Sequence, residues 1–147
     1  MDKNQTIEAI QNARKAHLSQ MDKIVAVMDG NHVEHPTALN KTQCEFGKWL
    51  YADENHLESI LGALFFNNLE TAHTKWHMEY SRLFDIFFKN QKKGLFSKIL
   101  GSSKVDPMEI DKAKLYYAEL TATTADLLKI LGSCERRVNA MNESKFH

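Results

Sequence analysis

The stretch LETAHTKWHMEYSRLFDIF, residues 69–87, decides the fold. Leu69, His73, Trp76, Tyr80, Leu83 and Phe87 recur three and four apart, the period of one helical face buried in a bundle. Phe66, His77 and Phe84 flank this seam. The pattern predicts a long helix over residues 64–92. Working outward, a second seam precedes it: Ile7, Ile10, Arg14, His17, Met21, Ile24 and Met28, on a helix spanning residues 4–28. A third follows, reading Ala113, Tyr116, Leu120, Thr123, Leu127, Ile130, Cys134 and Met141. Its start is marked by Asp106-Pro107-Met108-Glu109, a capping residue, a proline at the first helical position and a carboxylate that reaches back.

Between these helices the punctuation is sparse. The chain holds 2 prolines and 6 glycines in 147 residues, which favours long helices over a sheet with many turns. Residues 29–36 read as a loop, and residues 55–62 are ambiguous, with a further helical turn as one reading. Residues 91–105, with Gly94, Gly101, Ser102 and Ser103, read as a connection. A short helix is expected after residue 40. Thr42 and Glu45 form a T-x-x-E capping box, which makes Thr42 the N-cap and sets Cys44 at the second helical position. Gly47 inside this helix costs about 1 kcal/mol against alanine, so a close backbone approach is expected there. Trp49, Leu50 and Tyr51 supply bulk to pack it down. The expected fold is an all-α, four-helix-type bundle of long helices, with a short helix carrying the cysteine. One domain is expected over residues 1–147, its core about 5–140.

Nineteen basic residues balance nineteen acidic ones, so net charge offers no grip on nucleic acid or anionic lipid. No run approaches the ~18 apolar residues of a membrane span. The charged N-terminus lacks the apolar centre of a signal peptide. A cytoplasmic location is expected, where two cysteines are not expected to pair.

The chemistry gathers on four residues. His73 and His77, four apart on one helix, share a face about one turn apart. His17 stands on the inward seam of the first helix, and Cys44 lies in the first turn of the short one, where the positive dipole end favours a thiolate. Each residue alone reads more simply as core; buried together, they need a shared partner. Three imidazoles and a thiolate suit Zn2+ better than magnesium or calcium, and four protein ligands would close the coordination, as zinc is held for structure or sensing rather than hydrolysis. An unperturbed histidine titrates near ~6.5, so zinc affinity is expected to fall below that pH.

The string Gln43-Cys44-Glu45-Phe46-Gly47-Lys48-Trp49-Leu50 resembles the C-x-[FL]-G-x-W signature of the chemoreceptor zinc-binding domain family. The upstream histidine and the downstream H-x-x-x-H match that family's three-histidine, one-cysteine set in the same order, over roughly residues 5–140. The resemblance implies a helical bundle, often a homodimer, that binds zinc to regulate something else. Members are commonly fused to chemoreceptor signalling regions or diguanylate cyclase domains, so a chemoreceptor or a cyclic-di-GMP enzyme is the kind of signalling partner implied. In some members the zinc-bound thiolate reacts with hypochlorous acid. The chain reads as a stand-alone member, in which zinc level or oxidant is sensed; zinc storage without output is the alternative.

A di-iron bundle resembling haemerythrin is excluded, since neither His17 nor His73 is followed by a carboxylate four residues on. No phosphate loop, G-x-S-x-G or H-E-x-x-H occurs, so no enzyme is expected. His32, His35 and His56 read as solvated. Cys134 reads as plain core, Trp49 and Trp76 as packing residues, the latter placed to shield the site. Residues 92–100 mix lysines with Leu95, Phe96, Ile99 and Leu100; they read as a tethered loop, with docking to a partner or an anionic surface as the alternative.

Overall fold

The computed structural model describes residues 1–92 and 106–146. Among these it is all helical: α1 (Lys3–Met28), α2 (Glu45–Leu50), a 3-10 turn (Asp53–Asn55), α3 (Leu57–Leu61), α4 (Ala63–Lys92), α5 (Pro107–Ala140) and a last 3-10 turn (Glu143–Lys145). No described helix is long and apolar enough to cross a membrane. Of the connection expected at residues 91–105, Gln91 and Lys92 end α4; the rest, and with it most of the mixed basic and apolar segment, lies outside the described residues.

α1 and α5 each begin at an aspartate cap, and the second of these is the one the sequence predicts. Asp2 accepts the Gln5 amide at 2.7 Å while the Gln5 side chain accepts the Asp2 amide at 2.9 Å, a reciprocal box that satisfies two orphan donors. Asp106 accepts the Met108 amide at 2.9 Å, with Pro107 at the first helical position. Glu109 instead pairs with Lys112 at 3.3 Å.

α5 is the spine of the bundle. Lys3 donates to the carbonyls of Asn139 and Met141, Arg14 meets Glu135, and Thr124 donates to the Met21 sulfur. As α1 advances its partners on α5 recede, so the two are antiparallel. The same holds for α4, where Arg137 stacks on Phe65, Trp76 donates to Thr124 and Arg82 meets Glu119. α1 and α4 therefore run parallel to each other on one side of α5. The space between them at mid-height is filled by His17, His73, Trp76 and His77, with α2 laid across the opening.

All six α4 seam residues are buried. On α1, Arg14, Ile7 and Met28 sit at the edge, while Ala13, Gln20 and Val27 are buried instead. On α5, Leu131 and Val138 are buried, and Tyr116, Ile130 and Met141 are half-buried. The cause is drift: a straight helix turns every 3.6 residues and slips about 20° per heptad from a 3.5 repeat. Phe88 is buried within the chain, and Phe66 and Phe84, which flank the α4 seam, are half-buried against the core. His32, His35 and His56 are exposed. Cys134 is fully buried, and burial pushes its thiol up to about 11.

Candidate metal centre

α2 begins later than the capping box implied. The N-cap is Cys44 itself: its sulfur accepts the Gly47 amide at 3.2 Å. Thr42 belongs to the preceding turn, where its amide and hydroxyl both donate to Asn40 Oδ1, at 2.9 and 2.8 Å. The sulfur is thus aimed along the helix axis at the free amides, a position that favours negative charge. Burial still pushes the metal-free thiol up, opposed by the Gly47 and Phe46 amides.

Gly47 makes this turn possible. A Cβ there would fall on the Lys41 carbonyl oxygen, a backbone atom that cannot swing away. Gly47→Ala is expected to force the 41–44 turn off α2, costing about 1–3 kcal/mol as overpacking does and weakening metal binding with it. Thermal melting and a chelator-competition titration on the variant check both; unchanged values would show that the turn yields freely.

The three imidazoles gather beneath. Ligand nitrogens of His17, His73 and His77 lie within 4.8 Å of one another, and all three residues are buried. His17 Nδ1 donates to the Ala13 carbonyl at 2.7 Å and His77 Nδ1 to the Leu39 carbonyl at 3.1 Å. A carbonyl can only accept, so both rings carry their proton on Nδ1, and Nε2 is left with its lone pair. Both Nε2 atoms are buried without a hydrogen-bond partner, as is His73 Nδ1. Fixing the far nitrogen on a carbonyl is how proteins orient imidazole ligands. His73 Nε2 lies 3.3 Å from Cys44 Sγ. Donors on a tetrahedral zinc stand about 3.3–3.6 Å apart, given bonds of about 2.0–2.3 Å. The sulfur therefore adjoins the cluster through His73 at a spacing two ligands of one ion would have. The residues fit a borderline-soft metal.

Burial keeps the imidazoles neutral, the form that binds metal. It lowers His73 to about 2, with His77, His17 and Lys41 adding repulsion, and His77 to about 4, against the bond to Leu39. His17 is lowered by burial, against its bond to Ala13. In the folded chain protons do not compete for these rings near 6.5, contrary to the value for free histidine. Trp76 packs edge-on to His17 at 4.6 Å and to His77 at 5.0 Å, closing the side toward α5. Trp49 lies outside, tilted against Phe46, with its Nε1 donating to Met1 sulfur at 3.0 Å.

The hydrogen bonds that hold the loop beside the cluster had no sequence signal. Gln20, fully buried, accepts the Thr37 amide at 2.6 Å, and Tyr80 donates to the Thr37 carbonyl at 2.8 Å. Together they fix the loop that offers Leu39 to His77. Gln20 stands three residues after His17 and beside the seam residue Met21, and that spacing is the hint the sequence carries.

The fold and the cluster define a helical bundle with a buried three-histidine centre able to hold a metal ion. Residues 17–83 match the family model of the chemoreceptor zinc-binding domain; this stretch contains His17, Cys44, His73 and His77 and leaves α5 outside it. No curated protein and no solved structure matches the chain.

Proposed function

We propose that the chain is a zinc-binding sensory domain in which His17, Cys44, His73 and His77 hold one Zn2+, and that it regulates a partner rather than catalysing a reaction. The observation that carries this reading is the set of buried, neutral imidazoles with unpartnered nitrogens beside a helix-capping sulfur. Burying these polar atoms costs free energy unless something pairs with them. The ion would supply charge that pairs with the thiolate and three lone pairs. His17 comes from α1, Cys44 from the cap of α2, and His73 and His77 from α4, so the ligand set spans three elements. α2 has six residues, too few to be helical alone, and its hold depends on Phe46, Leu50 and this site. Loss of the ion would break the bond that ties Cys44 to the histidines, and oxidation of Cys44 to a sulfenic acid by a two-electron oxidant would remove the thiolate from the set; either loosens α2. The output would pass through a second copy of the chain or a signalling protein. Met108 and Leu115, 71% and 68% exposed and seven apart on α5, offer one apolar face for such a contact.

The unpartnered His73 Nδ1 favours a second ligand set. If that nitrogen is the donor, His73 Nε2–H points at Cys44 and the sulfur stands beside a three-histidine centre with an open position. Elemental analysis and cobalt substitution decide between the two. The proposal expects one zinc per chain as purified, and a thiolate-to-cobalt charge-transfer band in the cobalt form that Cys44→Ser abolishes. A tetrahedral cobalt spectrum without that band supports the three-histidine set. Iron, or no metal, contradicts both.

A further inference from the structure

The residue that ends the loop before the cysteine turn is held at both ends. The Lys41 ammonium reaches α4, donating to Glu70 Oε1 at 2.7 Å and to Thr74 Oγ1 at 2.8 Å. Thr74 and the Tyr51 hydroxyl donate to that same carboxylate oxygen, at 3.0 and 3.2 Å, and the ammonium lies 5.5 Å from the centre of the Tyr51 ring. One oxygen of Glu70 thus collects the loop, the C-cap of α2 and α4 itself. At its other end the Lys41 carbonyl accepts from the Cys44 thiol at 3.4 Å and faces Gly47 too closely to admit a Cβ. Glu70 and Thr74 each stand three residues before a histidine, His73 and His77, so anchor and ligands share two turns of α4.

We propose that Lys41, through Glu70 and Thr74, is a positioning residue for Cys44: its side chain pins the 41–44 turn to α4 so that the sulfur stands at His73. This rests on reading Cys44 as a ligand. The ion pair is about one-third exposed on both sides, 32% and 32%, and pairs of that kind add little to overall stability. Its effect is local. Residues 29–44 contain no helix, and a connection of that length wanders unless its end is tied.

The test uses the full chain in a Cys134→Ser background, with Lys41→Met, which keeps the stem, and Lys41→Arg, which keeps the charge. Lys41→Met is expected to weaken zinc binding about ten-fold, the lower end for residues that orient ligands, and to diminish the thiolate-to-cobalt band. In the metal-free protein, Cys44 is expected to react about ten-fold faster with a disulfide reagent, with little change in melting temperature. Lys41→Arg should restore most of each. Wild-type affinity, band and thiol rate in Lys41→Met overturn the proposal. A missing thiolate band in the unsubstituted chain overturns the ligand reading instead, and is seen before any change at Lys41; the metal-free thiol rates then still decide whether Lys41 fixes the turn.

Discussion

Replacing His73 with alanine is expected to empty the centre while leaving the bundle folded. His73 is the residue through which the donors meet: its Nε2 is 3.3 Å from Cys44 Sγ, and its ring lies 4.6 Å from that of His77 and 5.4 Å from that of His17. Structural zinc sites bind with about 10–16 kcal/mol in all, so one ligand of four is worth roughly 2.5–4 kcal/mol, a factor of about 10²–10³ in affinity. The metal-free variant should differ much less from metal-free wild type. The cavity left by the ring costs stability, but a buried imidazole with an unpaired nitrogen is removed at the same time. Zinc retained after gel filtration and competition against a chelator measure the first effect, and thermal melting of chelated samples the second. His32→Ala, at an exposed position, should change neither. A His73→Ala protein that keeps its zinc at wild-type affinity would remove His73 from the ligand set.

The metal-free protein is expected to be acid-labile just below neutrality, and the loaded protein not. All three imidazoles titrate below the ordinary histidine value when folded, His77 at about 4 and His73 at about 2, chiefly because burial disfavours the charged form. The unfolded chain, with histidines near ~6.5, takes up protons first as pH falls. Stability present above ~6.5 is therefore lost below it, at up to about 1.4 kcal/mol per pH unit for each ring, or about 4 for three. Against total stabilities of about 5–15 kcal/mol, two pH units below ~6.5 remove up to about 8 kcal/mol, enough to unfold a domain in the lower part of that range. Metal-bound imidazoles cannot take up protons, so the loaded transition moves to lower pH. Helical circular dichroism of chelated and loaded samples between pH 7.5 and 4 reads this out. A chelated protein equally stable at pH 7 and pH 5 would mean that the rings are not buried neutral.

How far the sequence could be read depended on whether a feature repeats. The α4 seam runs over five turns and buries every residue it predicts, because one face of that helix packs on α5 from Phe65 to Arg82. The His73 and His77 pair was legible for the same reason, an i, i+4 spacing on a helix of known face. The seams of α1 and α5 lose register toward their ends, where drift carries Met28 and Met141 to the edge and Val27 and Val138 inward. The start of α2 was misread because Thr42 and Glu45 imitate a capping box, while the observed cap is a sulfur, which is not among the usual N-cap residues. The reason for Gly47 could be guessed at but its partner could not: the Lys41 carbonyl is brought there by a turn with no periodic pattern. The polar anchor formed by Lys41, Tyr51, Glu70 and Thr74 joins residues up to 33 apart in sequence, and the lowered imidazole pKa values follow from burial by several elements at once. Neither leaves a local trace.

Backbone hydrogen exchange at residues 42–51 tests the sensory role most directly, compared in zinc-loaded, chelated and Cys44-oxidised protein. These residues hold the cysteine turn and α2, whose own hydrogen bonds span barely more than a turn, so their protection reports how firmly the site holds them. Strong protection is expected in the loaded protein and a marked, similar loss in the other two states, while the core of α5 around Leu120–Leu131 changes little. Equal protection in all three states would contradict the sensory role, and would leave a protein that stores the ion without reporting it.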